Sequence, residues 1–225
     1  TAQAPLPGTN SPVVWENRLY ISGADESARE VYCFDTESGE MLWRRAVPPF
    51  PGTPPESPKI FDDTGYAAPT MAVQGELAFA IFANGDLLCL DAGGEVKWGK
   101  NLGVPDNHYG HSSSLLAYQD LLFVQYDQRS DGKLLALDIA TGREVWSEPR
   151  KIISWSSPAF ADTAFGPQLV LTSSKDVRAY DPSSGRELWQ LECLSGEVAS
   201  GPAYGSGMFF VAAEYSDATA IRLSE

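Results

Sequence analysis

The sequence predicts an all-β fold of repeated four-stranded antiparallel units, and three observations carry that prediction. The first is a phrase that occurs four times: VYCFDTESGEMLW at residues 31–43, LLCLDAGGEVKW at 87–98, LLALDIATGREVW at 134–146 and VRAYDPSSGRELW at 177–189. The second is its internal chemistry. An alternating apolar run ends in Asp35, Asp91, Asp138 or Asp181; a turn with Gly39, Gly94, Gly142 or Gly185 follows; Trp43, Trp98, Trp146 or Trp189 stands four residues after the glycine. The third is the spacing of the four Asp residues, 43 to 56 positions. Self-similarity at that period marks a repeat architecture.

Each half of the phrase has the two-residue periodicity of a strand. Its middle is turn chemistry, because Asp bonds the backbone two residues on and Gly supplies a positive φ without steric cost. The phrase is therefore a β-hairpin with Trp at a fixed register on its second strand. A large flat ring at one register in every repeat is expected to pack neighbouring units together, with its indole N–H bonded if buried. Two more strand candidates precede each hairpin. The inner one follows a small-residue entry (residues 11–14, 68–71, 113–116 and 157–160), and the next is apolar (19–22, 77–82, 121–125 and 168–172). Four short strands per repeat of this length are the blades of a β-propeller.

The blades are expected at about 11–47, 66–102, 111–150 and 154–191, with a partial fifth at 198–225 carrying strands at 208–212 and 219–223. Residues 1–10 (TAQAPLPGTN) read as a poorly ordered lead-in. The run 48–58 holds six prolines and reads as a stiff connecting loop, with a polyproline ligand as the other reading. Residues 127–133 (DQRSDGK) lack the terminal Glu of a calcium loop and read as an exposed hairpin tip.

Composition sets bounds. The 225 residues are 43% hydrophobic, with Gly 20 and Pro 16, enough to bury a core in a turn-rich chain. No apolar stretch approaches the length of a membrane-spanning helix. The chain starts with Thr, from which a processed or cut product is expected. The net charge of −14 argues against nucleic acid or an anionic membrane surface as partner. Three Cys are too few for a disulfide framework. Cys33 and Cys89 occupy the position that holds Ala136 and Ala179 elsewhere, which reads as a small buried site; Cys193 reads as a loop thiol. No His/Cys cluster has zinc spacing.

The pattern of small residue, any residue, Asp, turn, Gly, three residues and Trp resembles the tryptophan-docking repeat of the PQQ-like, or quinoprotein-like, β-propellers. Residues 136–146 and 179–189 fit it fully, and the first two copies fit with Cys at the small position. The stretches SPVV, EVYCFD, DTGYAAP, NLGVPDNHYGHSSS and LSGEVASGPAY are similar to PQQ-binding-like repeat proteins. The superfamily also includes PQQ-dependent alcohol dehydrogenases, the propeller lipoprotein of the outer-membrane β-barrel assembly machinery and sensor domains. The resemblance implies an extracytoplasmic chain, periplasmic or secreted, and a ring of eight blades of which these residues form part; a closed ring of five is the alternative.

In a propeller, the loops that join one blade's outer strand to the next blade's inner strand share one face, the default place for a ligand or partner. Aligning the repeats on the small-residue entry places Tyr66, His111, Trp155 and Ala199 at equivalent positions in these loops. His108 and Tyr109 adjoin His111, and Glu197, Asp62 and Asp63 add carboxylates. The expected site is thus Tyr66, His108, Tyr109, His111, Trp155 and Glu197, an aromatic-walled pocket with a titratable centre; the other reading is that these rings plug the channel mouth. No catalytic residue, metal site or cofactor is assigned. The quinone dehydrogenases that the chain resembles carry an adjacent Cys pair, a calcium site and an Asp base. No adjacent Cys pair exists here, nor do a P-loop or G-x-G-x-x-G motif. The expected function is non-catalytic binding of a protein or small ligand through the loop face. The alternatives are a PQQ- and calcium-dependent dehydrogenase completed by residues elsewhere, and an architectural or sensor domain of a larger protein.

Overall fold

A computed structural model describes residues 3–224. Thr1 and Ala2 of the expected lead-in, and Glu225 of the fifth unit, lie outside the described residues. Nineteen strands and no helix occur among them, so no helix is long and apolar enough to cross a membrane. The first blade is β1 (Val13–Trp15), β2 (Arg18–Ala24), β3 (Arg29–Asp35) and β4 (Met41–Ala46). The second is β5 (Ala72–Gln74), β6 (Leu77–Ile81), β7 (Asp86–Leu90) and β8 (Val96–Asn101). The third is β9 (Leu116–Tyr118), β10 (Leu121–Tyr126), β11 (Gly132–Asp138) and β12 (Glu144–Arg150). The fourth is β13 (Ala159–Thr163), β14 (Gly166–Thr172), β15 (Asp176–Tyr180) and β16 (Glu187–Glu192). The last sheet holds β17 (Ala203–Gly205), β18 (Met208–Ala213) and β19 (Ser216–Arg222). Every sheet keeps the chain's own order, an antiparallel meander.

The inner strands start later than the small-residue entries suggest. Proline lacks the N–H that a ladder needs, and Pro12 and Pro158 stand immediately before β1 and β13, as Pro202 does before β17. The hairpin chemistry is as expected. Asp35 accepts from the Ser38 and Glu37 amides at 2.8 and 3.0 Å, and Gly39 has φ +73°. A register shift between Cys33 and Phe34 recurs between Cys89 and Leu90 and between Ala179 and Tyr180. It follows the small residue that lies opposite Trp43, Trp98 or Trp189, so the ring sits over a side chain too short to displace it.

The chain falls into two compact units, one running to Leu122 with Leu137–Arg143 added, the other Phe123–Ala136 with Glu144 onward. In the first, Trp43 packs with Cys33, Ala78, Ala80 and Leu90, and its indole donates to the Ala92 carbonyl at 2.9 Å. Arg18 donates to the same carbonyl, and Arg45 to that of Gly94. Trp98 repeats the arrangement, donating to Ile139 at 2.8 Å. In the second unit Trp146 donates to Pro182 at 3.0 Å. Each indole lies on the turn glycine of the following hairpin. A Cβ added to Gly94, Gly142 or Gly185 would stand 2.6 Å from Trp43, Trp98 or Trp146 respectively. Trp189 differs: it donates to Gln168 at 2.8 Å and packs at a tilt against Phe209, 5.7 Å between centroids.

Two expectations need correction. The lead-in is bonded into the first unit: Thr9 donates to Ala67, Leu6 to the Tyr32 hydroxyl and Asn10 to both Ser22 and Ala67, while Pro7 accepts from Ala24. Its lack of strand pattern reflects anchoring through single, distant bonds instead of a ladder. Asp127 is also no part of an exposed tip. It is 5% exposed and holds the buried Arg150 guanidinium through two bonds of 2.5 and 2.9 Å.

Candidate functional site

In the first unit, the proline-rich segment between β4 and β5 is pinned at its start. Thr53 donates to Asp86 at 2.5 Å and accepts from Phe50. Phe50 lies against Gly99, where a Cβ would meet the ring at 2.1 Å. Asp86 is fully buried and also receives Asn84 and Asn101, with Arg29 at 3.2 Å. This buried acid fixes the loop so that Pro54 and Pro55 wall a cavity of about 470 Å³ with Arg29, Lys59 and Tyr66. Tyr66 also borders a second cavity of about 320 Å³, with Asp25 and Asp62 on its lining. Burial pushes the Tyr66 hydroxyl pKa up, helped by the negative charges of Glu26 and Asp62.

Farther along the same loop, Phe61 meets the β8–β9 loop. Its amide donates to the His108 carbonyl at 3.1 Å. Its ring lies 5.6 Å from His108 and 5.4 Å from Tyr109, the latter edge to face. Offset and edge-on rings in this range attract through their quadrupoles. Phe61 remains 53% exposed, and His108 is exposed with it. Phe61 is thus an exposed apolar ring flanked by two other rings. Sequence reasoning missed Phe61; the available signal was one aromatic set among charged and turn residues in KIFDDTG.

His111 lies elsewhere in the chemistry. It is 3% exposed, and its amide donates to the Ala83 carbonyl at 3.0 Å. Burial drives its imidazole pKa down to about 4, against a smaller opposing bond with the Ser113 backbone. The ring is neutral near pH 7 and built into the blade, so the expected titratable centre of an open pocket is not at this residue.

The remaining two candidates belong to the second unit. Trp155 is half-buried and its amide donates to Val198 at 2.9 Å; Glu197 is exposed. That unit holds a cleft of about 170 Å³ among Arg150, Lys151, Ser173, Asp176, Arg178 and Tyr180, which the sequence reading did not single out. Its two arginines are both paired. Arg150 pairs with Asp127, and Arg178 is bonded to Asp176 at 2.8 Å and Glu187 at 2.9 Å.

A calcium–quinone centre would need a convergent donor set. Among the described residues no three His, Cys, Asp or Glu side chains gather where they could hold a metal. Cys33 and Cys89 are buried in separate blades and Cys193 follows β16. Burial raises the Cys89 thiol pKa to about 12 and that of Cys33 above its usual value.

Comparison with known proteins agrees with the architecture. A family model described as outer membrane protein assembly factor BamB matches residues 3–152 and 173–224. No curated relative matches the sequence. Among solved structures, BamB from Moraxella catarrhalis superposes with a TM-score of 0.65 at 16% identity, over 91% of this chain and 57% of that one. A europium-containing methanol dehydrogenase gives 0.66 at 14% identity, over 87% and 43%. Quinohemoprotein alcohol dehydrogenase from Comamonas testosteroni gives 0.62 at 14% identity, over 91% and 40%. The chain thus spans about half the length of these neighbours, and at such identities the likeness is one of fold. With its repeated hairpins, its meander blades and a family model covering most of its length, the chain belongs to the PQQ-like repeat β-propellers of the BamB type.

Proposed function

We propose that this chain is a binding propeller that takes a protein partner through its loop face outside the cytoplasm. The observation that carries the reading is the Phe61–His108–Tyr109 cluster, in which Phe61 and His108 are exposed and Tyr109 half-buried. Aromatic residues are enriched at protein interfaces and dominate their energetics. The two cavities beside Tyr66 give a partner side chain somewhere to enter. The net charge of −14 favours a partner with a basic or apolar contact surface. The extracytoplasmic assignment is supported by the family's description as an outer membrane assembly factor. Trp155 and Glu197 are proposed as contacts on the second unit, and His111 as a support for the loop that presents His108 and Tyr109.

The test compares the chain with a variant carrying Phe61→Ala, His108→Ala and Tyr109→Ala. Both are immobilised and exposed to a cell-envelope extract. Proteins retained by the first and released by the second are the expected result. Equal retention refutes the loop-face reading. A parallel thermal scan with PQQ and calcium guards the other branch. Ligand at a hundred times its dissociation constant adds about 2.7 kcal/mol, so a shift of several degrees would redirect the function to quinone chemistry.

A further inference from the structure

The cleft of the second unit holds cationic donors that its ion pairs do not use up. Arg150 is 6% exposed. Its Nε donates to Asp127, and its Nη2 to Asp127 and to the Thr172 carbonyl. A guanidinium carries donors on all three nitrogens, so those of Nη1 remain, beside the Tyr180 side chain. Arg178 keeps a hydrogen on each terminal nitrogen after its bonds to Asp176 and Glu187. Lys151 lines the same cleft, is exposed, and pairs with no carboxylate among the described residues. The acids are placed in the opposite way. The side chains of Asp127 and Asp176 are each 1% exposed. Both Asp127 oxygens accept from Arg150, and one also from Gln125. One Asp176 oxygen accepts from Ser173, the other from Arg178 and Gln190. Glu187 pairs with Arg178 outside the cleft lining. Burial pushes the Tyr180 phenol pKa up, against the charges of Arg150 and Arg178, so near neutral pH it keeps a proton to donate.

We propose that this cleft binds a small phosphate-type oxyanion, as the free ion or as a phosphomonoester, held by Arg150, Lys151, Arg178 and Tyr180. Its charge is spread over several oxygens, which can accept from two guanidinium groups, an ammonium and a phenol together. A carboxylate offers only two oxygens to the same donors. Guanidinium forks match phosphate geometry and make strong charge-assisted bonds. The cleft's volume of about 170 Å³ suits a group of this size; pockets for drug-sized ligands run to roughly 300–1,000 Å³. The chain's net charge of −14 does not oppose this, because at 0.1 M salt charges beyond about 10 Å are largely screened. The local excess of unpaired N–H groups then decides.

The experiment follows amide resonances of the isotope-labelled chain during titration with sodium phosphate, with sodium chloride at matched ionic strength as the reference. The expected result is saturable movement of the Lys151, Ile152 and Arg178 amides with phosphate and none with chloride. Lys151→Glu, at an exposed position, should weaken phosphate binding about tenfold or more, as for the loss of a hydrogen bond to a charged group. Arg178→Lys keeps a cation beside Asp176 but removes the fork, and should weaken it as well. Acetate should bind more weakly than phosphate. Glycerol 3-phosphate separates the two sources. Binding at least as tight as that of inorganic phosphate places an ester in the cleft, weaker binding the free ion, and either result upholds the oxyanion site. No saturable movement with phosphate, or movement unchanged by Lys151→Glu, overturns the proposal. Acetate bound as tightly as phosphate overturns the assignment to phosphate chemistry.

Discussion

Replacing the hairpin glycines by alanine separates two costs that usually come together. At all four positions φ is between +68° and +80°, so alanine must adopt the left-handed region at about 1–2 kcal/mol. Restriction of the unfolded chain returns roughly 0.4–1 kcal/mol of this. Gly39→Ala incurs only that balance, about 1 kcal/mol, because its methyl meets nothing within 4 Å. Gly94→Ala and Gly142→Ala add a methyl 2.6 Å from Trp43 and Trp98. Overpacking of that kind costs roughly 1–3 kcal/mol, and an indole pushed off its carbonyl forfeits about 1 kcal/mol more. Thermal unfolding followed by circular dichroism should place Gly39→Ala within a few degrees of the parent, at about 2–4 °C per kcal/mol for a chain of this size. The Gly94 and Gly142 variants should melt at least twice as far below it. Equal losses at Gly39 and Gly94 would refute the claim that the ring contact, and not the backbone alone, sets the requirement for glycine.

Other perturbations test single contacts. His111 is held neutral by burial, with its pKa at about 4 in the folded chain against about 6.5 unfolded. The unfolded chain therefore takes up a proton that the folded one refuses. Stability is complete above about pH 6.5 and declines toward pH 4, by at most roughly 3 kcal/mol; denaturant titrations across that range should show a shallower decline for His111→Gln. Arg150→Met leaves Asp127 charged and buried, and a loss of about 3–5 kcal/mol is expected. The double change with Asp127→Leu should recover most of it, and a double mutant no better than the single would argue against a coupled pair. Trp98→Phe keeps the ring on Gly142 but removes the bond to Ile139, so a denaturation midpoint equivalent to about 1 kcal/mol lower is expected.

The architecture was readable because its determinants are local. Strand alternation, an Asp-led turn and a glycine with positive φ act within a dozen residues, and the same instruction is given four times. What was not readable depends on residues far apart. The lead-in is ordered by Tyr32, Ser22 and Ala67, none of which its own composition announces. Alignment of the entries gave His111 the right loop but could not give its depth, and burial decides its charge. Phe61 acquires its meaning only when a segment 47 positions away, at His108, folds beside it. Even Gly39 and Gly94 are alike in sequence and in φ, and differ only in whether a ring arrives.

In the first three blades the indole-on-glycine contact is directional: the ring comes from one hairpin and the glycine from the next. Such a part can be copied without inventing a new joint, since the same ring, glycine and carbonyl recur at Trp43, Trp98 and Trp146. Selection is then free to vary blade number and loop content almost independently of the joints. A lineage built this way can change what it grips while leaving untouched how it is held together.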